Sequence, residues 1–178
     1  MAWPSRAVAG IGVLCLLAFM SEGAVADWSG VFLRQVAGFS APAGTSGFAA
    51  FSASMLIARL TGDAMVRRLG RALVLRAGAL VAGFGMALAL AIPEFGPAGF
   101  GLVGLGGANM APILFSAAGR AGPAASTGVA VVATLGYAGM LLGPPLIGGL
   151  AEWAGLRLAL LVIMAAMVAI GLGANRVR

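Results

Sequence analysis

The 178-residue chain is 61% hydrophobic and 9% charged, with a mean hydropathy of +1.06, against roughly 45 to 50% apolar for a soluble domain, so its apolar runs must face lipid or one another. Its net charge of +6 is arginine alone, 11 against five acids, and these arginines stand at the ends of apolar runs rather than in a basic patch interleaved with aromatics, which argues against nucleic acid as a partner. One cysteine, Cys15, and no histidine remove disulfide frameworks, zinc sites and histidine catalysis, and no other nucleophile or metal set stands out, so neither an enzyme nor a cofactor is expected.

The first apolar run, about residues 8–28, carries Glu22 inside it. Arg6, the short apolar core and Ala24-Val25-Ala26 before Asp27 also fit a secretory signal peptide. Both readings put Asp27 outside the membrane. Arg34, Gly38, Ser40 and Pro42 predict a helix end and a loop over residues 29–43. A second run, about 44–60, leads into RLTGDAMVRRLGRALVLR, which packs Arg59, Arg67, Arg68, Arg71 and Arg76 around Asp63. An arginine at bilayer depth costs roughly 2.5 to 3.5 kcal/mol on insertion scales. The whole stretch 59–76 is therefore predicted to be a water-facing turn.

The third run, about 72–92, stops at Pro93-Glu94-Phe95-Gly96-Pro97. The fourth, about 98–118, holds a glycine strip of Gly101, Gly104 and Gly107, then Asn109 and Pro112, and is closed by Gly119-Arg120 and Gly122-Pro123. The fifth, about 125–150, is interrupted by Gly143-Pro144-Pro145, where a lost backbone donor predicts a helix break that a neighbour or a cavity must satisfy. After a short gap at 152–157 the sixth, about 158–174, ends the chain near Arg176 and Arg178. Each run has the length that crosses a roughly 30 Å hydrocarbon core with some tilt. The expectation is one all-α domain over residues 1–178, a polytopic bundle of six transmembrane helices with the lipid bilayer as its solvent.

Six crossings place Arg6, Arg59, Arg67, Arg68, Arg71, Arg76, Arg120, Arg176 and Arg178 on one side and Arg34 and Arg157 on the other, nine against two. The bias of arginine toward the cytoplasm makes the crowded side internal, with both termini cytoplasmic, as in a bacterial inner membrane.

Polar groups inside spans are the candidate working residues, because hydrocarbon makes them costly unless they are paired or face a cavity. Glu22 is the first, as a proton carrier or substrate contact, with solvation near the outer interface as the plainer alternative. Asn109 follows, on a cavity wall or in an interhelical hydrogen bond, then Asp27, Tyr137 and Trp28, the last as an interface anchor. Gly139 and Gly143 are spaced to let two helix backbones approach closely.

The loop Gly62-Asp63 to Gly70-Arg71 resembles the signature loop of major facilitator superfamily (MFS) transporters, with the longer Asp-to-Gly spacing of the sugar-permease-like branches. Gly139-xxx-Gly143-Pro144-xxx-Gly148-Gly149 is similar to the family's Gly-Pro motif, although Ala130 stands where the motif's first glycine would, so antiport is not inferred. The order Gly, acid, Gly, Arg returns in Gly149, Glu152, Gly155 and Arg157, three spans later and on the opposite side. That echo fits a 3+3 repeat of inverted topology. The resemblance implies the C-terminal six-helix half of an MFS secondary carrier of a small solute, working by alternating access. Gly62, Asp63, Arg67, Gly70 and Arg71 would then form a cytoplasmic gate in which Asp63 pairs with Arg67 and Arg71. Its implied partner is a missing N-terminal half or a second copy. The competing expectation is a non-transporting scaffold or a truncated, inactive fragment.

Overall fold

The computed structural model describes residues 5–121 and 125–177; the turn expected at Gly122-Pro123 and the terminal Arg178 lie outside them. Helix α1 spans Arg6–Gln35, and its first turn is closed by the Ser5 hydroxyl, which accepts from the Val8 N–H at 3.3 Å. A single turn, α2 (Ala41–Gly44), leads to α3 (Ser46–Leu69) and α4 (Arg71–Ala91). The next passage is divided into α5 (Gly96–Gly107) and α6 (Met110–Ala121), and α7 (Ala125–Ala154) follows. Short α8 (Leu156–Ala159) and α9 (Leu161–Gly173) complete the bundle. The described residues are helical almost throughout and contain no strand.

Five of these passages are long and apolar enough to cross a membrane: Arg6–Gln35, Arg71–Ala91, Pro93–Ala121, Ala125–Ala154 and Leu156–Val177. The remaining rod, α3, has the length at 24 residues, but it carries Arg59, Asp63, Arg67 and Arg68.

Three local expectations are corrected. Helix α1 runs through Arg34 to Gln35, because a basic residue in the last turn suits the negative end of the helix dipole and the chain turns only at Gly38, with φ 73°. The stretch 59–76 is not a loop. Residues Arg59 to Leu69 contain no proline, Arg67 and Arg68 favour a helix C-terminus, and the connection to α4 shrinks to Gly70. At φ 81° and ψ 154° Gly70 occupies a region that only glycine enters without strain. Gly155, between α7 and α8, repeats it at φ 82° and ψ 154°. Finally, α7 continues unbroken through Pro144 and Pro145, and the interrupted helix is the fourth passage, at Ala108-Asn109.

Lipid gives two apolar helices little reason to associate, so close backbone packing holds this bundle. Helix α1 lies on α7 along Gly139, which meets the Leu16 carbonyl, and Gly143, where an added Cβ would stand 2.6 Å from the Met20 oxygen. Cys15, the single thiol, is fully buried in this seam beside Gly136. Helix α3 lies on α5 in the same manner: Gly104 meets the Phe51 carbonyl, and the Ser54 hydroxyl donates to the Gly101 carbonyl at 2.6 Å. Helices α4 and α5 exchange carbonyl contacts at Gly78 with Gly106 and at Gly85 with Gly99. Phe32 and Phe100, both fully buried, meet edge to face at 5.8 Å in the core.

Candidate functional site

Pro112 has no N–H, so the Ala108 carbonyl four residues earlier loses its helical partner, and the helix opens at that residue. Arg59 of α3 fills the gap: its Nε donates to the Ala108 oxygen at 3.4 Å. The other end of the same guanidinium faces α1, where Nη2 stands 3.7 Å from Glu22 Oε1. Arg59 is ten residues from the end of α3 at Leu69, about 15 Å along the axis at 1.5 Å per residue. Glu22 is likewise in the middle third of α1. Three helices thus bring a cation, an anion and an orphan carbonyl together at mid-length.

This arrangement is open on one side. The Arg59 side chain is 48% exposed and that of Glu22 30%. A charge pair on a lipid-facing surface is costly, so this face requires water or another protein surface over it. Beside it, one helical turn back from Glu22, Phe19 meets the Phe115 ring at 6.2 Å and the Tyr137 ring at 5.9 Å, both edge to face. The inner cleft that Glu22 shares with Phe19, Ser21, Met55 and Ala111 measures only about 20 Å³, room for about one water.

Asn109 does not join Glu22. It lies over Gly62, close enough that any Cβ there would strike its amide oxygen. The two share a cleft of about 220 Å³ with Asp63, Arg67, Arg71 and Ser116. This cleft therefore gathers the residues expected at the gate except Gly70, which lies at the α3–α4 turn, together with a residue expected in the cavity. Among the described residues the pair within salt-bridge distance is Glu22 with Arg59; Asp63 makes none with Arg67 or Arg71. Asp63 and Arg67 are both exposed on the helix surface, where an ion pair in water contributes little. Arg120 extends the basic rim and donates to Ser116 Oγ at 2.7 Å. Asp27 is exposed on α1, apart from both clefts.

At the other proline site, Pro144 denies an N–H to the Met140 carbonyl, and Gly23 of α1 lies against that oxygen, 2.9 Å from where a Cβ would be. Trp28 Nε1 donates to the Pro144 carbonyl at 3.0 Å, so the indole is a clamp between α1 and α7.

Sequence reasoning placed Arg59 in a loop and so missed its pairing with Glu22. Two spacings pointed to it: eight residues, about two turns, separate Arg59 from Arg67 with no proline between, and Pro112 stands four residues after Ala108.

No family model matches the chain. An uncharacterized MFS-type transporter of Yersinia pestis is 43% identical over 152 residues, 84% of this chain and 40% of its own length. The membrane protein MosC of Rhizobium meliloti is 42% identical over 158 residues, 86% of this chain and 39% of its own. The uncharacterized transporter y4wD of Sinorhizobium fredii is 39% identical over 166 residues, 90% of this chain and 44% of its own. The chain is MFS-like over most of its own length. It spans about two fifths of the length of these curated relatives. In fold, the MFS-like chain follows a crystal structure of the POT family transporter PepTSo, with a TM-score of 0.80 at 17% identity over 99% of this chain and 38% of that one. It is an integral membrane protein, and the relatives named for an activity are transporters rather than enzymes.

Proposed function

We propose that the MFS-like chain is the C-terminal half of a secondary carrier of a small solute, which works by alternating access against an N-terminal half or a second copy. The observation that carries this reading is the Glu22–Arg59 pair, held at mid-length on an open face that lipid cannot cover cheaply. A carrier binds its solute near the bilayer midplane, between repeats and beside discontinuous helices. The α5–α6 break falls midway along its passage, which supports this reading.

In this reading α3 is a sixth span, Arg59 being tolerated because it is paired and faces a cavity. A 3+3 inverted arrangement is supported by three correspondences. Gly70 and Gly155 share one backbone conformation at opposite ends of the bundle. Helix α1 packs on α7 as α3 packs on α5. Arg76 Nε donates to the Gly171 carbonyl at 3.3 Å, while Arg157 Nη2 reaches the Ala91 carbonyl at 3.4 Å, so each third helix is tied to the other's C-terminal end. The end that gathers Arg67, Arg68, Arg71, Arg120 and Arg176 is cytoplasmic, in a bacterial inner membrane, with both termini there. The Asn109 cleft is the cytoplasmic gate, and Asp63 pairs with Arg67 or Arg71 in the alternate conformer.

The test is a solute-uptake screen in membrane vesicles carrying the chain with and without a co-expressed six-helix N-terminal half. Uptake is expected only with the second half or with a crosslinkable dimer. Uptake by the monomer alone overturns the half-cavity assignment, and no uptake in either arrangement favours a scaffold. Orientation is checked separately with Leu69→Cys and a membrane-impermeant maleimide, Cys15 being buried. Labelling of intact cells from outside reverses the topology.

A further inference from the structure

We propose that Arg59 is the receptor for an organic anion, specifically a small carboxylate with an apolar or aromatic body, and that Glu22 occupies that receptor until the solute displaces it. This inference rests on the carrier reading and names its substrate class.

The argument begins with donors. A guanidinium presents five N–H groups in a fixed fork. In Arg59 the Nε–H is spent on the Ala108 carbonyl, which sets the position and plane of the group. Glu22 is attracted at 3.7 Å, beyond hydrogen-bond length. The terminal N–H groups therefore make no hydrogen bond to the protein among the described residues, although their head stands at mid-helix. Hydrogen-bond donors in a membrane interior without partners are costly. A solute carboxylate meets that need in the fork-to-fork geometry that matches guanidinium best.

The second observation is the wall beside the pair. Phe19, Phe115 and Tyr137 form a ring cluster from α1, α6 and α7, and Tyr137 is 60% exposed on the same open bundle. Aromatic surface one helical turn from the carboxylate that faces the cation suits an anion with an apolar body, and offers little to a sugar, whose hydroxyls need many polar partners. A cationic solute would be drawn to Glu22 but repelled by Arg59. The loose ion pair makes the exchange cheap: the glutamate screens the guanidinium in the empty protein without holding it through hydrogen bonds.

The experiment uses the full chain in lipid nanodiscs and equilibrium dialysis with radiolabelled benzoate, with acetate, benzyl alcohol and benzylamine as competitors. Benzoate is expected to bind, acetate to compete weakly and the alcohol and amine not to compete. E22Q, which removes the internal competitor, is expected to bind benzoate at least about tenfold more tightly. R59K keeps the charge but loses the fork, and is expected to bind at least about tenfold more weakly. R59Q is expected to abolish binding, with helical circular dichroism and gel filtration confirming its fold; should it not fold, E22Q and R59K carry the test. Equal competition by benzylamine, unchanged affinity in E22Q, or no benzoate binding by either wild type or E22Q overturns the assignment. The carrier reading is tested separately by the uptake screen: a chain that takes up a neutral or cationic solute with its partner half, yet ignores benzoate, remains a carrier and overturns only the anion assignment.

Discussion

Pro112 and Pro144 each strip a backbone N–H from a long helix, and the two neighbourhoods respond in opposite ways. At Pro112 the helix opens, and the freed Ala108 carbonyl is taken by a charged side chain that reaches over from α3 and is half exposed. At Pro144 the helix stays closed, and the support comes from the close backbone of α1 at Gly23 and from a neutral indole. The lesion is the same, but a guanidinium held at 3.4 Å beside a loosely paired carboxylate can be drawn away by a competing charge, whereas two backbones in contact cannot move without unpacking the seam. The α5–α6 break is therefore the place to expect exchange between states, and the α1–α7 seam the place to expect rigidity.

The largest effect expected from breaking this comparison lies in the seam. Gly139→Leu drives a side chain into the Leu16 carbonyl, and is expected to lower stability by about 3 kcal/mol, the upper end of ordinary overpacking. Chemical denaturation in detergent micelles measures it; a loss below about 1 kcal/mol would mean that the seam yields.

A double-mutant cycle sharpens the other side. Pro112→Ala restores the donor for Ala108, so Arg59→Gln should cost about 1 to 3 kcal/mol in the native background, where the carbonyl is orphaned, and much less beside Pro112→Ala. Strict additivity would show that Arg59 does not cap the break. Trp28→Phe with Pro144→Ala is expected to come closer to additive, because the indole bonds the carbonyl of Pro144 itself and not that of Met140.

The two glycine turns come next. Gly70→Ala and Gly155→Ala each force a side chain into the same backbone region, and each is expected to cost about 1 to 3 kcal/mol. Their thermal unfolding midpoints should fall by similar amounts; a drop at one turn alone would separate the two halves of the proposed repeat. The smallest effect belongs to Trp28→Phe, which loses one hydrogen bond and keeps most of the ring, at about 1 kcal/mol by the same denaturation measurement.

Apolar run length carried most of the architecture. Runs bounded by Pro93-Glu94-Phe95-Gly96-Pro97 or by Gly38 and Pro42 became helices because the punctuation is local, and Gly139 and Gly143 became a packing edge because their spacing is a property of one helix. The misplacement of Arg59 has a different origin. A dense set of arginines reads as solvated when each is weighed against lipid alone, and that judgement fails for a residue whose partner, Glu22, is 37 positions away on another helix. The relocation of Asn109 follows from the same cause. Its side chain went to the one place on α3 where Gly62 leaves room for it, and that complementarity exists only after the two helices are set side by side. Pro144 and Pro145 read as a break for the reciprocal reason: a proline announces the missing donor, but not the α1 backbone that packs against the freed carbonyl and holds the helix in place.

Cys15 turns the seam into its own sensor. As the chain's only sulfhydryl, sheltered where α1 meets α7, it stays invisible to alkylating reagents for as long as the two rods remain in register. The kinetics of its modification thus read out the separation of those rods with no foreign probe installed, and a solute that reshapes the α5–α6 break while leaving that reactivity unchanged would have moved one wall of the bundle and spared the other.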